Sequence, residues 1–151
     1  MNKIVYYLLY FLIVFFFLGC TSDDNKNNEL DYNLQNSSWT QDNQVTILDF
    51  NYNILETIEI STNCRSSYDF FNNGDGLESL ATVIKNHPDT DCKIQISEIS
   101  YFTKKKELVI RKGTEQIVYK IENLSDNTLE LSRGYDVDKL IKYTFIKKTS
   151  K

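Results

Sequence analysis

The sequence predicts an all-β domain of antiparallel strands, a sandwich or a barrel with one buried face. Three observations carry that expectation. Apolar and polar residues alternate at a period of two through most of the chain after Trp39, the spacing that turns one face of a strand to a core and the other to water. The alternating stretches are short and are broken by turn formers such as Asn72-Asn73-Gly74-Asp75-Gly76 and Arg111-Lys112-Gly113. No internal repeat of about 20 to 50 residues is visible, which sets solenoids and propellers aside.

Taken in order, Val45 and Ile47 alternate with Thr46, and Ile58 and Ile60 with Glu59. Tyr68 and Phe70 flank Asp69 immediately before the Asn-Gly turn, and Ile94 and Ile96 flank Gln95. Leu108 and Ile110 lead into the second turn, and Ile117, Tyr119 and Ile121 follow it on one phase. Leu129 and Leu131 flank Glu130, and Tyr143 and Phe145 flank Thr144. Half-buried antiparallel strands read this way. One stretch departs from the period: Leu77, Leu80, Ala81 and Ile84 have helical spacing, Asp75 and Glu78 fit a capping box, and Pro88 would end a helix. A short helix over 76–86 and a continued strand fit it equally well.

Ahead of the strands, residues 4–18 form an uncharged apolar run behind Lys3, the n-region and h-region of a secretory signal. Fifteen residues fall short of the roughly 20 that cross a bilayer core. Gly19-Cys20 closes the run and resembles the lipobox of bacterial lipoproteins, although Phe17 and Leu18 depart from its commonest form. The resemblance implies a signal peptide over 1–19 and lipidation, with palmitate among the acyl chains, at Cys20. Residues 20–34 are rich in Asn and Asp and read as a flexible acidic tether to a domain over 35–151. Asp23 and Asp24 resemble the retention or surface-export signals of some Gram-negative lipoproteins. The expected location is therefore the outer membrane, on its periplasmic face or at the cell surface.

The 151 residues less nineteen leave 132, enough for one domain. That remainder has sixteen basic and twenty-one acidic residues, a net charge that gives nucleic acid no electrostatic footing. With Cys20 used as the anchor, Cys64 and Cys92 have one way to pair in an oxidising compartment.

The order of features over residues 34–148 resembles the small lipocalin-like domains of bacterial lipoproteins. Leu34-Gln35-Asn36-Ser37-Ser38-Trp39 occupies the place of a Leu-x-Gly-x-Trp opening, with Ser for Gly. Cys64 followed by Tyr68-Asp69-Phe70 and a Gly turn matches a second motif, and Tyr119 to Leu131, with Leu124-Ser125-Asp126-Asn127-Thr128-Leu129 at its turn, matches a third. Tyr143-Thr144-Phe145 resembles the closing strand, while a second Gly-x-Trp after Cys92 is missing. The resemblance implies an up-and-down barrel of about eight strands, with an interior that holds a small apolar ligand. Trp39 would plug one end, under a cation such as Arg111 or Arg133. The candidate ligand contacts are Trp39, Tyr68, Phe70, Tyr119 and Tyr143.

No catalytic constellation is visible, and no cofactor is implied. A calcium loop centred on Gly74 fails because Phe71 and Leu80 fall on ligand positions. His87 with Asp89 and Asp91 is a single histidine in a turn, a poor metal site, and no nucleophile elbow exists for it to serve. Lys104-Lys105-Lys106 reads as a charged hairpin tip. The expectation is a non-catalytic, lipid-anchored barrel that binds a small or apolar ligand inside. The alternative is a solid barrel whose surface binds an envelope protein or a polysaccharide. If Tyr68, Phe70, Ile110, Tyr119, Ile121, Leu131 and Phe145 filled the interior and left no cavity of about 300 Å³, the first reading would lose its basis.

Overall fold

The computed structural model describes residues 33–83 and 92–149. Among these residues nine strands run in chain order: β1 (Ser37–Asp49), β2 (Ile54–Glu59), β3 (Ser67–Phe70), β4 (Asp75–Val83), β5 (Cys92–Lys104), β6 (Glu107–Lys112), β7 (Glu115–Leu124), β8 (Thr128–Asp136) and β9 (Lys139–Lys147). All pairings are antiparallel, and β1 pairs with β9, so that β1 and β3 to β9 close an eight-stranded up-and-down barrel with β2 as one extra strand. Closure leaves those strands without the sticky edge of an open sheet.

The first strand does two jobs. Its first half pairs with β3 from Ser37↔Phe70 to Thr40↔Ser67, and its second half pairs with β2 from Gln44↔Glu59 to Leu48↔Ile54. Between them β1 bulges against β9: Gln41 opposes Phe145, yet Val45 already opposes Tyr143. Extra residues on one strand bend it, and here the bend moves β1 from one neighbour to the other. The loop over 60–66 is fastened at the same point, where Ile60 N–H donates to Asn43 O at 2.6 Å and Gln41 N–H to Ser66 O at 2.8 Å.

The stretch that fits helix and strand equally is a strand. Over Asp75–Val83 it pairs along its length with β5, and no helix occurs among the described residues; residues 84–86 lie outside them. Its helical spacing arises because apolar residues fall on both faces. Leu80 pairs with Gln95 on the inward phase, while Leu77 and Ala81 share the outer face with Ile96 and Ile94. Gly76 is required by the neighbouring strand: a Cβ there would sit 2.5 Å from Asp69 O.

The core is built as the period-two pattern predicts. Tyr68, Phe70, Ile110, Tyr119, Ile121, Leu131 and Phe145 form one buried cluster with Leu34, Trp39, Ile99, Tyr101, Leu108 and Leu129. Ile94 and Ile96 are the exception. Ile99 and Tyr101 fix the inward phase of β5, so the two isoleucines lie on the outer face, 55% and 67% exposed. Lys104 and Glu107 end and begin paired strands, which makes Lys105-Lys106 a hairpin tip, with Lys105 in the left-handed region at φ 58°.

Candidate functional site

The barrel has a shut end and an open end. At the shut end Trp39 Nε1 donates to Ser37 Oγ at 2.7 Å, and Ser37 Oγ donates in turn to Leu34 O. Leu34, Leu108 and Leu129 are almost fully buried around it. The cation over the indole is Lys147, 5.7 Å from the ring centre, whereas Arg111 and Arg133 stack on Phe102 and Tyr119. Lys147 wins that place because it is the register partner of Trp39 on β9. Phe70 packs between Tyr101, at 4.6 Å, and Tyr68, at 5.7 Å, and completes a solid plug.

Above the plug lies a polar layer. Tyr68 Oη donates to Glu78 Oε1 at 3.0 Å and lies 3.4 Å from Tyr119 Oη. Glu78 is only 6% exposed, and Lys112 Nζ meets its other oxygen at 3.1 Å. A buried carboxylate is tolerated when paired and hydrogen-bonded, and both conditions hold here. Burial pushes the Tyr68 phenol well above its ordinary range, reinforced by Tyr119 and Glu78. Burial also raises Tyr119.

Beyond this layer the wall parts. The short β3 reaches only Gly76 to Ser79 of β4 and Ser37 to Thr40 of β1, and β2 pairs with β1 alone. An open cleft of about 790 Å³ lies there, walled by Val45, Ile58, Ile60, Leu80, Ile141 and Tyr143 among others. Val45, Ile47 and Ile141 form a second small apolar cluster, with Ile60 and Tyr143 packed on it. The Cys64–Cys92 disulfide spans the rim, joining the 60–66 loop to the start of β5 with Cα atoms 5.4 Å apart. Arg133 stands at the cleft's margin, where Nη2 reaches Tyr143 Oη at 3.5 Å.

No protein-family model matches the sequence, and no curated protein is significantly similar to it. The site is therefore read from its own geometry.

All five candidate ligand contacts project inside the barrel, but only Tyr143 borders the cleft. Trp39 and Phe70 belong to the plug, and Tyr68 and Tyr119 to the polar layer. The remaining cleft wall and the side chains of Glu78, Lys112 and Arg133 were not among those candidates. Lys112 follows Leu108 and Ile110, and Arg133 follows Leu129 and Leu131, at intervals of two, but that spacing alone does not distinguish an inward charge from the end of a strand. Cys20, the signal and most of the tether, and the His87, Asp89 and Asp91 trio lie outside the described residues. Among the described residues no three of His, Cys, Asp or Glu converge on a metal position. The site brings together an apolar wall, the phenols of Tyr68, Tyr119 and Tyr143, and the side chains of Lys112 and Arg133.

Proposed function

We propose that this chain is an outer-membrane lipoprotein, anchored through lipid on Cys20 at the periplasmic face or the cell surface, whose lipocalin-like barrel binds a small, largely apolar ligand without catalysis. The observation that carries this reading is the cleft of about 790 Å³ at the open end, within the range of small-molecule sites and lined mainly by hydrocarbon. Below it the side chains from Trp39 to Phe145 form one buried cluster, so the proposed binding is at the mouth.

Native mass spectrometry of the protein purified from its own host tests the reading. A co-purifying small molecule, absent after denaturation and refolding, is the expected result. A ligand-free protein that also fails to bind a neutral apolar probe would sink it. Replacing Cys20 with Ser should abolish incorporation of a palmitate analogue; labelling that persists elsewhere would refute the anchor.

A second reading has its own support. Phe50, Ile54, Leu55 and Ile58 of the β1–β2 hairpin and Ile94 and Ile96 of β5 are exposed, and exposed apolar groups of this kind are found where partners dock. A protein or polysaccharide partner in the same spectra, with no small molecule, would favour an interaction module.

A further inference from the structure

We infer that the mouth of the barrel selects an amphiphile with an anionic head, and that Arg133 is the residue that selects the head; the inference rests on the ligand-binding reading above. Arg133 occupies the inward phase of β8 after the buried Leu129 and Leu131. Its register partner is Ile141, and its guanidinium reaches the Tyr143 hydroxyl. Both neighbours line the apolar cleft. The guanidinium also stacks on Tyr119, 5.6 Å from the ring centre.

Among the described residues no carboxylate pairs with Arg133. The nearby acid of the polar layer, Glu78, is engaged by Lys112 and Tyr68. Lys112 thus carries its counter-charge within the fold, and Arg133 does not. Arg133 is exposed beside the phenols of Tyr119 and Tyr143, where an arriving anion can reach it, and a guanidinium binds carboxylate, sulfonate or phosphate oxygens through charge-assisted hydrogen bonds. The tail of such a molecule would lie against Val45, Ile58, Ile60 and Leu80, while its head stays at the solvent-facing margin. Head and tail therefore meet two different surfaces of one site.

Two fluorescent probes separate the terms: 1-anilinonaphthalene-8-sulfonate and N-phenyl-1-naphthylamine, which share an aromatic skeleton and differ in the sulfonate. The protein is residues 20–151 with Cys20→Ser, which keeps every described residue and the whole closed sheet. Wild type is expected to bind the sulfonate about tenfold more tightly than the neutral probe, as one charge-assisted bond at a partly screened site allows. Arg133→Gln should erase that preference by weakening the sulfonate about tenfold, with a much smaller change in the neutral probe's Kd. Arg133→Lys, which keeps the charge but not the planar fork, should restore part of it. A sulfonate preference that survives in Arg133→Gln, or is missing from wild type, overturns the inference while neutral binding keeps the wider reading alive. Failure of wild type to bind either probe overturns both.

Discussion

Glu78 shows how one side chain can organise the interior of a barrel. It lies between Gly76 and Leu80 on the inward phase of β4 and accepts from Tyr68 and Lys112. Removing a buried acceptor leaves its donors unpaired, which costs about 1–3 kcal/mol. Glu78→Ala is therefore expected to lower stability by roughly 2 kcal/mol, and Glu78→Gln by less, since an amide oxygen can still accept from Tyr68; urea midpoints at constant slope would measure both, and equal losses would contradict the account. The phenols beside it predict an alkaline signature. Unfolded tyrosine ionises at about pH 10, while burial holds Tyr68 and Tyr119 protonated above that value. Their contribution is whole below about pH 10 and declines as pH rises further, because only the unfolded chain then releases those protons. Tyr68→Phe and Tyr119→Phe should each flatten the fall in stability between about pH 9 and pH 11, whatever they do to stability at neutrality. Slopes identical to wild type would show that these phenols titrate normally. Residues such as Leu131 and Phe145 were legible in the sequence because hydrophobicity and phase agree. Glu78, Lys112 and Arg133 were not, because a charged residue on an inward phase looks like an interruption until its partners are known.

At the scale of elements, the alternation located eight stretches, and the ninth was hidden for a physical reason. β4 carries apolar residues on both faces: Leu77 and Ala81 lie beside Ile94 and Ile96 of β5 on the outer face, and Leu80 borders the cleft. Spacing alone then fits two structures, and the cross-strand pairing decides between them. The β1–β2 hairpin is the other element whose behaviour needed the third dimension. Tyr52 holds the left-handed region at φ 65° in its turn, and its hydroxyl accepts from Lys120 at 2.5 Å and donates to Glu122 at 3.1 Å. Burial works against the Glu122 charge, but bonds from Ser132, Lys120 and Tyr52 outweigh it and hold the carboxyl below its ordinary value. This outer cluster ties the hairpin to β7, across the wall. Tyr52→Ala should release it at a cost of about 0.5–1 kcal/mol, the scale of an exposed network. Hydrogen exchange would then quicken in Ile54–Glu59 and stay unchanged in β7 to β9. Unaltered exchange in β2 would mean that pairing with β1 alone holds the hairpin.

For the molecule as a whole, the two ends differ in how they are stabilised. The shut end has a continuous aromatic and aliphatic core from Trp39 to Phe145. The open end has a small apolar cluster, a parted wall and the Cys64–Cys92 bridge across its rim. The pairing followed from cysteine arithmetic, but its place at the cleft did not, because sequence order says nothing about where β3 ends relative to β4. Closing a loop of this length, with 28 residues of separation, stabilises a chain by roughly 3.5 kcal/mol on the chain-entropy model. Local opening draws on local contacts, so the loss should be felt first where the core is thinnest. In the Cys64→Ala/Cys92→Ala protein, the denaturant midpoint should fall by an amount equivalent to roughly that energy. Amide exchange should rise in residues 60–66 and at the start of β5 before it rises around Trp39, Phe70 and Leu129. Neutral-probe binding should weaken under conditions where the plug remains protected, since the bridge fixes one margin of the cleft. Exchange that rises uniformly around the barrel would refute the two-ended picture and make the disulfide a global staple.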